Sequence, residues 1–430
     1  MALSVPEGYR PLQKQSLPDY LSSHPHLAKQ LGGGATDWHS QEVSDGNVNQ
    51  VFLVHGPAGS VCVKQSLPYV RLVGESWPLT LERIHFEHQA LLEHGRHVPG
   101  RVPQVLHHDA RQYVLVLECL TPHIILRKGM TAGVCYPRLA GHLADYLARS
   151  LFFSSDLALT AEEKRRRVAT FGANSAMCQI MEDMVFTEPY QLHPRNRWTS
   201  PQLDGLAAEV RDDVDLKLAA SRLKHQYLTR AEALIHGDLH TGSIMVTQED
   251  TRVIDQEFAF YGPMGFDVGA LMANLLINYF SQEGHTTDAS PRAPYQAWVL
   301  ETLEALWSGF HDGFLALWEA HGRGDAYPSA LFTSPAERRT LTEERRRWLQ
   351  GLLGESLAFA GAKMLRRIFG LAHNLDLESI TDPDRRASCE RACVELGRAL
   401  LLAPGRYRAI TDVTTVARDL AEHLRPKRRG

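Results

Sequence analysis

Residues 234–246 read LIHGDLHTGSIMV, and this short stretch places several reactive side chains between two apolar runs. His236, Asp238 and His240 alternate along it, so a strand would present all three on one face, as a metallohydrolase requires. The residue after His240 is Thr241 rather than glycine, and no second metal-binding cluster follows, which argues against a phosphoesterase. For each histidine taken singly, the sequence favours a tight turn stabilised by internal hydrogen bonds.

A third interpretation, phosphoryl transfer, also accounts for Asp238. This chemistry needs one carboxylate at the acceptor hydroxyl and further oxygen ligands for the Mg²⁺ ions that neutralise phosphate charge. Asp255 and Glu257 follow in the strand-like run RVIDQEF (252–258). Alternate residues of an extended segment project to one side, so these two carboxylates can chelate one ion. The sequence therefore predicts Asp238 as the catalytic base and Asp255 with Glu257 as magnesium ligands.

The first third of the chain supplies a cation for the phosphates. Lys64 ends the run SVCVK (60–64), which pairs with VFLVH (51–55) in a predicted β-hairpin. A lysine at the end of an apolar strand is common by chance. Here it precedes the predicted base and the metal ligands in chain order, which is the layout of the protein kinases.

That layout also requires an acidic partner for the lysine on the helix that follows the hairpin. The stretch TLERIHFEHQALLEHG (80–95) has apolar residues near helical spacing. Glu87 lies inside it and is the predicted partner of Lys64. Glu82 and Glu75 compete for the same role.

These groups need elements to position them. A buried strand, YVLVLECL (113–120), ends at a predicted hinge, residues 118–120, whose backbone would meet adenine. From about residue 138 the pattern is mainly helical. The helical runs cover residues 138–153, 212–228, 294–320 and 343–372.

The order of these elements predicts an α+β, bilobal protein-kinase-like fold. The β-rich N-lobe would cover residues 1–120, with an N-terminal helical extension, and the helical C-lobe residues 121–430. A chain of 430 residues exceeds the size at which one hydrophobic core usually stops growing, which agrees with two lobes. Ligand sites favour such lobe junctions.

Composition narrows the class of partner. The chain is 44% hydrophobic and 22% charged, as in ordinary soluble proteins, and its formal net charge of −4 argues against a nucleic-acid partner. No signal peptide and no apolar run long enough to span a bilayer is visible, so we expect no membrane association. The six cysteines give no disulfide pattern, and we expect a reduced, cytoplasmic protein.

The run HGDLHTGS (236–243) resembles the catalytic loop of the kinase-like small-molecule phosphotransferases, which include aminoglycoside, choline, homoserine and methylthioribose kinases. Most of these have Asn in place of Ser243, and Asp-x-Asp in place of residues 255–257. Both departures point to one family within this group, the S-methyl-5-thioribose kinases, which the chain resembles. The resemblance runs from about residue 40 to 405, and the segments that carry it are residues 42–52, 63–83, 182–198, 257–280 and 355–373.

The resemblance implies an activity. ATP would phosphorylate the 1-hydroxyl of S-methyl-5-thio-D-ribose, with Mg²⁺ as cofactor, in methionine salvage, and the protein would be a homodimer. Two alternatives are another small-molecule kinase of the same fold, acting on choline, homoserine or an aminoglycoside, and a catalytically inactive ATP-binding module. The predicted base, lysine and metal acids are all present, which argues against the second.

The resemblance also assigns roles residue by residue. Asp238 would accept the sugar hydroxyl proton, and Arg366 would reach the substrate. Arg367 lies about 100° further round the same helix, so we prefer Arg366 for that role. The predicted ATP contacts, including the magnesium ligands Asp255 and Glu257, are Asn49, Lys64, Glu118, Cys119, Leu120, Asp255, Gln256 and Glu257.

Three further expectations concern individual side chains. The loop at residues 44–49 has a single glycine, so the amide of Asn49 would replace some backbone donors to phosphate. Ser243 lacks the metal-binding oxygen of the usual Asn, and the longer Glu257 would compensate for it. Asp267 would brace the catalytic loop or cap a helix rather than bind metal.

Overall fold

The computed structural model describes residues 5–43, 48–71 and 74–424, apart from the side chains of Glu75 and Leu424. The chain forms two compact units. Unit 1 contains the described residues up to His123, together with Ala173–Met177 and Arg252–Ala259. Unit 2 contains Ile124–Gly172, Cys178–Thr251 and the described residues from Phe260 on.

The strands are short and lie mostly in the first third of the chain. They are β1 His39–Glu42, β2 Asn49–His55, β3 Ser60–Ser66, β4 Tyr69–Val70, β5 Gly74–Pro78, β6 Val105–Asp109, β7 Val114–Glu118, β8 Ile124–Ile125, β9 Ala233–Ile235, β10 Ile244–Val246, β11 Thr251–Val253 and β12 Phe260–Gly262.

The helices lie mostly after residue 120. They are α1 Leu17–Ser22, α2 Pro25–Leu31, α3 Arg83–His97, α4 Leu126–Thr131, α5 Leu139–Phe153, α6 Ala161–Phe171, α7 Ser175–Phe186, α8 Asp204–Asp212, α9 Val214–Thr229, α10 Met264–His285, α11 Ala293–His321, α12 Pro335–Phe369, α13 Leu375–Glu378, α14 Pro383–Leu402 and α15 Ile410–Leu424.

Unit 1 is built on an antiparallel sheet in the order β1-β2-β3-β7-β6. The predicted hairpin is confirmed, with Val51 opposite Lys64 and His55 opposite Ser60. The predicted strand at 113–120 and helix at 80–95 are also present, as β7 and α3.

The two faces of this sheet carry different residues. Val61 and Val63 of β3 pack with Leu17 and Leu27 of the N-terminal helices in a buried apolar cluster. Neighbouring side chains of a strand point to opposite faces, so Lys64 faces away from this cluster and toward α3. The helical extension thus covers one face of the sheet and leaves the other to charged groups.

Unit 2 is mainly helical, as the sequence predicts. Its centre is α12, which packs against α10 and α14. The helix begins earlier than its apolar periodicity indicates, because Ser334 caps it and Glu337 completes a capping box.

Glycines allow the helices around α12 to approach closely. A Cβ atom on Gly269 of α10 would overlap the backbone of Ser356 in α12, and one on Gly361 of α12 would overlap Gly397 in α14. These glycines therefore fix how near the neighbouring helices lie. None of the described helices combines the length and apolar character needed to cross a lipid bilayer.

Candidate functional site

Lys64 lies buried in β3 within a group of carboxylates. Its Nζ lies 2.7 Å from Glu87 Oε2, donates to Glu87 Oε1 at 2.9 Å, and also contacts Asp255 Oδ1. Burial alone would lower the pKa of Lys64, but Asp255, Glu87 and Glu257 raise it above its ordinary value. Lys64 is therefore a permanent cation held at a fixed position beside α3.

Glu87 is the partner of Lys64, as predicted. Glu82 instead accepts a hydrogen bond from the Tyr113 hydroxyl at 3.2 Å, and the side chain of Glu75 lies outside the described residues. Burial raises the pKa of Glu87 to about 7, and the neighbouring acids act in the same direction against the opposing effect of Lys64. The group thus holds more carboxylates than cations, which suits a further positive charge.

The prediction that residues 252–258 are extended is wrong beyond Val253. Asp255 adopts the left-handed conformation, with φ of 74° and ψ of 47°, and Gln256–Phe258 forms a single 3₁₀ turn. Strand alternation therefore does not bring the two acids together. The turn does so instead, because ligand oxygens of Glu87, Asp255 and Glu257 lie within 4.8 Å of one another. Hard oxygen donors are the ligands that Mg²⁺ prefers, so these three side chains are the ones suited to hold that ion.

Asn49 joins this group from β2. Its Nδ2 donates to Glu257 Oε2 at 2.6 Å, and its Oδ1 accepts from Arg83 Nε at 2.9 Å. Arg83 is fully buried at the start of α3, and it also donates to the carbonyl oxygens of Val48, Leu67 and Thr80. Residues 44–47 of the predicted phosphate loop lie outside the described residues. In this structure the amide of Asn49 orients Glu257.

The predicted hinge follows β7. Glu118 Oε2 accepts from the Gln104 backbone N–H at 3.1 Å and lies 3.3 Å from Arg252 Nη1. Cys119 and Leu120 follow it and are half-buried. Because the Glu118 carboxylate is already engaged, the backbone is the part of this segment suited to adenine.

Gln256 is fully buried in the turn between the two acids. Its Nε2 donates to the Val253 carbonyl oxygen at 3.2 Å. The side chain therefore ties the turn to the end of β11, and its backbone is the part suited to a nucleotide contact.

The loop at residues 236–243 lies between β9 and β10 in unit 2. Gly237 has a φ of 82°, which favours glycine. Asp267 Oδ2 accepts from the His236 backbone N–H at 2.6 Å, and its Oδ1 accepts from the Gly237 N–H at 3.1 Å. The prediction that Asp267 braces this loop is confirmed.

His240 has a defined tautomer. Its Nδ1 accepts from the backbone N–H groups of Gly242 at 2.9 Å and Ser243 at 3.1 Å, so Nδ1 carries no proton. Burial lowers the pKa of His240 to about 4, and the ring is neutral at neutral pH. Its Nε2–H therefore points to Asp238 Oδ2, 3.3 Å away.

The turn is closed by hydrogen bonds within the loop. The Ser243 hydroxyl accepts from the His240 N–H at 2.9 Å and lies 3.0 Å from the Asp238 carbonyl oxygen. His236 Nδ1 accepts from the Asp238 N–H at 3.2 Å. The predicted tight turn with internally bonded histidines is confirmed. The Ser243 hydroxyl is used for hydrogen bonds within this turn.

Asp238 combines partial exposure with a cationic environment. Its side chain is 17% exposed, and its Oδ1 lies 3.6 Å from Lys363 Nζ. Burial alone would raise the pKa of Asp238, but His240, Lys363 and Arg367 outweigh it and hold the pKa well below its ordinary value. Asp238 is therefore an ionised carboxylate able to accept a hydrogen bond from a hydroxyl.

The cations come from one helix, α12, at positions spaced by one turn. Lys363, Arg366 and Arg367 are all buried. Lys363 Nζ lies 4.1 Å from the centre of the Phe266 ring, and burial lowers its pKa to about 7. Within the described residues, Arg366 Nε and Nη1 have no hydrogen-bond partner, whereas Arg367 Nη1 donates to the Ala372 carbonyl oxygen at 3.0 Å.

Arg127 of α4, which is half-buried, adds a fourth cation. Its Nε donates to Thr241 Oγ1 at 3.1 Å and lies 3.8 Å from Asp376 Oδ2. Around Asp238, four cationic side chains face the carboxylates of Asp238 and Asp376. This excess of positive charge, with two unused donors on Arg366, suits an anionic or polyhydroxylated ligand.

Sequence reasoning missed Arg83, Lys363 and Arg127. For two of these residues, helical spacing in the sequence could have indicated a place in the site. Arg83 lies four residues before Glu87, and Lys363 lies three residues before Arg366, so each shares a helix face with a predicted site residue. Arg127 has no such signal, because it approaches the loop from a distant part of the chain.

The chain matches the Phosphotransferase enzyme family over residues 39–308. It is 47% identical over 410 residues to methylthioribose kinase 1 of Oryza sativa subsp. japonica, covering 95% of each chain. It is 40% identical over 419 residues to the methylthioribose kinase of Escherichia coli O45:K1 (strain S88 / ExPEC), covering 97% of this chain and all of that one.

Among solved structures, a choline/ethanolamine kinase family protein from Mesorhizobium loti is similar, with a TM-score of 0.41 and 15% identity. The match covers 93% of this chain and 99% of that one.

Proposed function

The chain belongs to the methylthioribose kinases, within the wider phosphotransferase enzyme family, and on that premise we propose that it phosphorylates S-methyl-5-thio-D-ribose at the 1-hydroxyl, with ATP as donor. The product is S-methyl-5-thio-α-D-ribose 1-phosphate, in methionine salvage. The α+β fold class predicted from the sequence is confirmed. The identity of 47% over 95% of both chains is the observation that carries the proposal. We also propose that the protein is cytoplasmic and forms a homodimer.

Unit 1 is proposed to hold the nucleotide. Lys64 keeps its charge because three carboxylates raise its pKa, and Glu87 fixes its ammonium group, so it is suited to neutralise phosphate oxygens. Asp255 and Glu257 would hold Mg²⁺. When bound, this ion would neutralise negative charge on the transferred phosphoryl group. Asn49 and Arg83 orient Glu257 for that role.

The remaining predicted ATP contacts belong to the same unit. The backbone of residues 118–120 is proposed to meet adenine, and the backbone at Gln256 to lie near the phosphates. Both segments keep their side chains engaged within unit 1, through Glu118 and Gln256. This leaves main-chain groups as the proposed contacts.

Unit 2 is proposed to hold the acceptor. The ionised Asp238 accepts a hydrogen bond from the 1-hydroxyl and orients its oxygen for in-line attack. The bond between the γ-phosphorus of ATP and the β–γ bridging oxygen breaks and ADP leaves, the new O–P bond forms at the 1-hydroxyl oxygen, and the hydroxyl proton passes to Asp238. A depressed pKa suits this role, because in a loose transition state the proton leaves late and positioning matters as much as basicity.

The cations of α12 are proposed to serve the same step. Arg366, with two unused donors, would hold sugar hydroxyls or oxygens of the transferred group. Arg367 and Lys363 keep Asp238 ionised. Buried, fixed cations of this kind stabilise the developing charge of a transition state more than mobile ones in water do.

The test is ATP consumption by the purified protein with methylthioribose, choline or kanamycin as acceptor. We expect Mg²⁺-dependent turnover with methylthioribose alone, and a product carrying phosphate on carbon 1 by ³¹P and ¹³C NMR. Faster turnover with choline or kanamycin would point to another kinase of this fold. Absence of turnover with all three would point to an inactive nucleotide-binding protein.

A further inference from the structure

Three histidines of unit 1 converge where α3 packs against β6. His85 and His88 lie one turn apart on α3, and His108 lies on β6. One ligand nitrogen of each lies within 4.8 Å of the others. The rings of His88 and His108 are stacked, with centroids 4.1 Å apart, and the His85 ring lies 5.4 Å from that of His108.

The ring nitrogens of this cluster are largely unused. Within the described residues, His108 Nε2 is buried and has no hydrogen-bond partner. Gln89 Nε2 lies 3.5 Å from His88 Nδ1, which leaves the other nitrogen of that ring. Burial, with the neighbouring His88 and His85, lowers the pKa of His108 to about 4. A buried ring nitrogen without a hydrogen-bond partner costs free energy, and a neutral imidazole is the form that binds metal.

We propose that His85, His88 and His108 form a binding site for a late first-row divalent metal ion of the Zn²⁺ class. Imidazole nitrogen suits such ions, whereas Mg²⁺ prefers oxygen, so the site is chemically distinct from the one proposed at Asp255 and Glu257. Three histidines with a fourth position open to water is a known form of zinc coordination.

The spacing requires a modest adjustment. Zn–N bonds of about 2.0–2.1 Å place tetrahedral nitrogens about 3.3 Å apart, so the imidazoles must approach by about 1.5 Å at most. All three residues are half-buried. The rings of His88 and His108, stacked at an interplanar angle of 16°, must also tilt so that their in-plane nitrogen lone pairs converge on one ion.

A second cluster beside it is a weaker candidate. His24, His107 and Asp109 also bring ligand atoms within 4.8 Å. However, His24 Nδ1 lies 2.9 Å from the Tyr20 carbonyl oxygen, and Asp109 already accepts from the Tyr20 hydroxyl and from two backbone N–H groups. His107 therefore provides a matched control on the same strand as His108.

The consequence of binding follows from what α3 carries. The same helix holds Glu87 against Lys64 and Arg83 against Glu257. A metal ion joining His85 and His88 to His108 would tie α3 to the sheet and stabilise unit 1.

The experiment is a calorimetric titration of the full-length, chelator-treated protein with Zn²⁺ in excess Mg²⁺. We expect one Zn²⁺ per chain with a Kd of about 1 μM or tighter, weakened at least about ten-fold in His108→Asn and, separately, in His88→Asn. His107→Asn should bind as the wild type does. At the same Zn²⁺ concentration, Zn²⁺ should raise the Tm of the wild type and of His107→Asn more than that of His108→Asn, because tighter binding to the folded state shifts unfolding further.

Three outcomes would overturn the proposal. They are a wild-type protein that takes up no Zn²⁺, unchanged binding in both His108→Asn and His88→Asn, and a loss in His107→Asn equal to that in His108→Asn. Circular dichroism without metal checks that each variant is folded. If His108→Asn is not folded, His88→Asn decides, because His88 lies on the partly exposed side of α3.

Discussion

Asp238 is ionised, partly exposed and oriented by a neutral His240, and these properties are specific to one side chain. We expect Asp238→Asn to lower kcat by about 10³-fold, because the amide cannot accept the hydroxyl proton. The Kd for ATP should stay within about two-fold, because Asp238 belongs to unit 2 and the proposed nucleotide contacts to unit 1. Steady-state kinetics and calorimetric ATP binding measure the two effects. Near-normal turnover would refute the assignment.

Glu257 and Ser243 test the proposed magnesium site. Glu257 shares the acidic group with Asp255, whereas the Ser243 hydroxyl is used within the loop. Glu257→Ala should abolish Mg²⁺-dependent turnover, a loss of at least about 10³-fold, and Ser243→Ala should cost less than about ten-fold. Turnover measured across a Mg²⁺ titration distinguishes them. Equal losses in both variants would contradict the idea that Glu257 replaces the usual asparagine.

The lowered pKa of Lys363 leads us to predict that activity depends on pH. Burial lowers its pKa to about 7, so the side chain loses its positive charge as the pH rises through neutrality. We expect kcat/KM of the wild type to fall on the alkaline side with an apparent pKa near 7, since the free enzyme's groups govern that parameter.

The matched variants separate this group from others that titrate nearby. Asp238, Arg366, Arg367 and Asp267 also face Lys363. Lys363→Met should remove the alkaline decline and lower kcat/KM about ten-fold at neutral pH. Lys217→Met, an exposed change on α9, should keep the wild-type profile. An unchanged alkaline limb in Lys363→Met would show that another group titrates.

For single residues, the sequence predicts which side chains belong to the candidate site better than it predicts which groups they contact. Lys64 and Glu87 were readable because they follow a motif order, and their contact is present. The neutral tautomer of His240 was not readable, because it depends on two backbone N–H groups that converge only in the folded turn. Arg127 likewise depends on where α4 packs.

At the scale of elements, glycine spacing sets how closely α10 approaches α12. A methyl group on Gly269 would overlap the backbone of Ser356, whereas one on Gly351 of α12 would meet nothing within 4 Å. Gly269→Ala should therefore destabilise the fold by about 1–3 kcal/mol. Gly351→Ala should stabilise it by about 0.5–1 kcal/mol through helix propensity. Thermal unfolding measures both, and a stabilising Gly269→Ala would contradict the packing.

Periodicity predicted which elements exist more reliably than where they end. The β2–β3 hairpin and α3 follow directly from alternating and helical patterns. The segment after Val253 was misread, because the alternation of Asp255 and Glu257 is equally compatible with a short turn. What decides between strand and turn there is a left-handed backbone conformation at a residue other than glycine, which no pattern of side chains indicates.

At the scale of the whole molecule, the predicted residues separate by unit. Lys64, Asp255 and Glu257 belong to unit 1, and Asp238 and Arg366 to unit 2. Length and the change from β-rich to helical pattern predicted two parts. They could not predict that residues 173–177 and 252–259 join the first unit, because that depends on tertiary packing.

This division predicts reciprocal binding defects. Lys64→Met should weaken ATP binding at least about ten-fold, because it removes the cation proposed to meet the phosphates. The same variant should bind methylthioribose with unchanged affinity in the absence of nucleotide. Calorimetry with each ligand alone measures both. The Asp238→Asn variant is the converse control, because it should keep its affinity for ATP. A loss of ATP affinity in Asp238→Asn would contradict the assignment of the two ligands to separate units.

The left-handed backbone at Asp255 governs how that position is best mutated. Asparagine adopts this conformation readily, while alanine does so at an energetic cost, and β-branched residues fit it worst. Asp255→Asn therefore isolates the loss of negative charge, whereas alanine scanning would perturb the main chain and the electrostatics together. An inactive alanine mutant here would be uninterpretable without its isosteric counterpart.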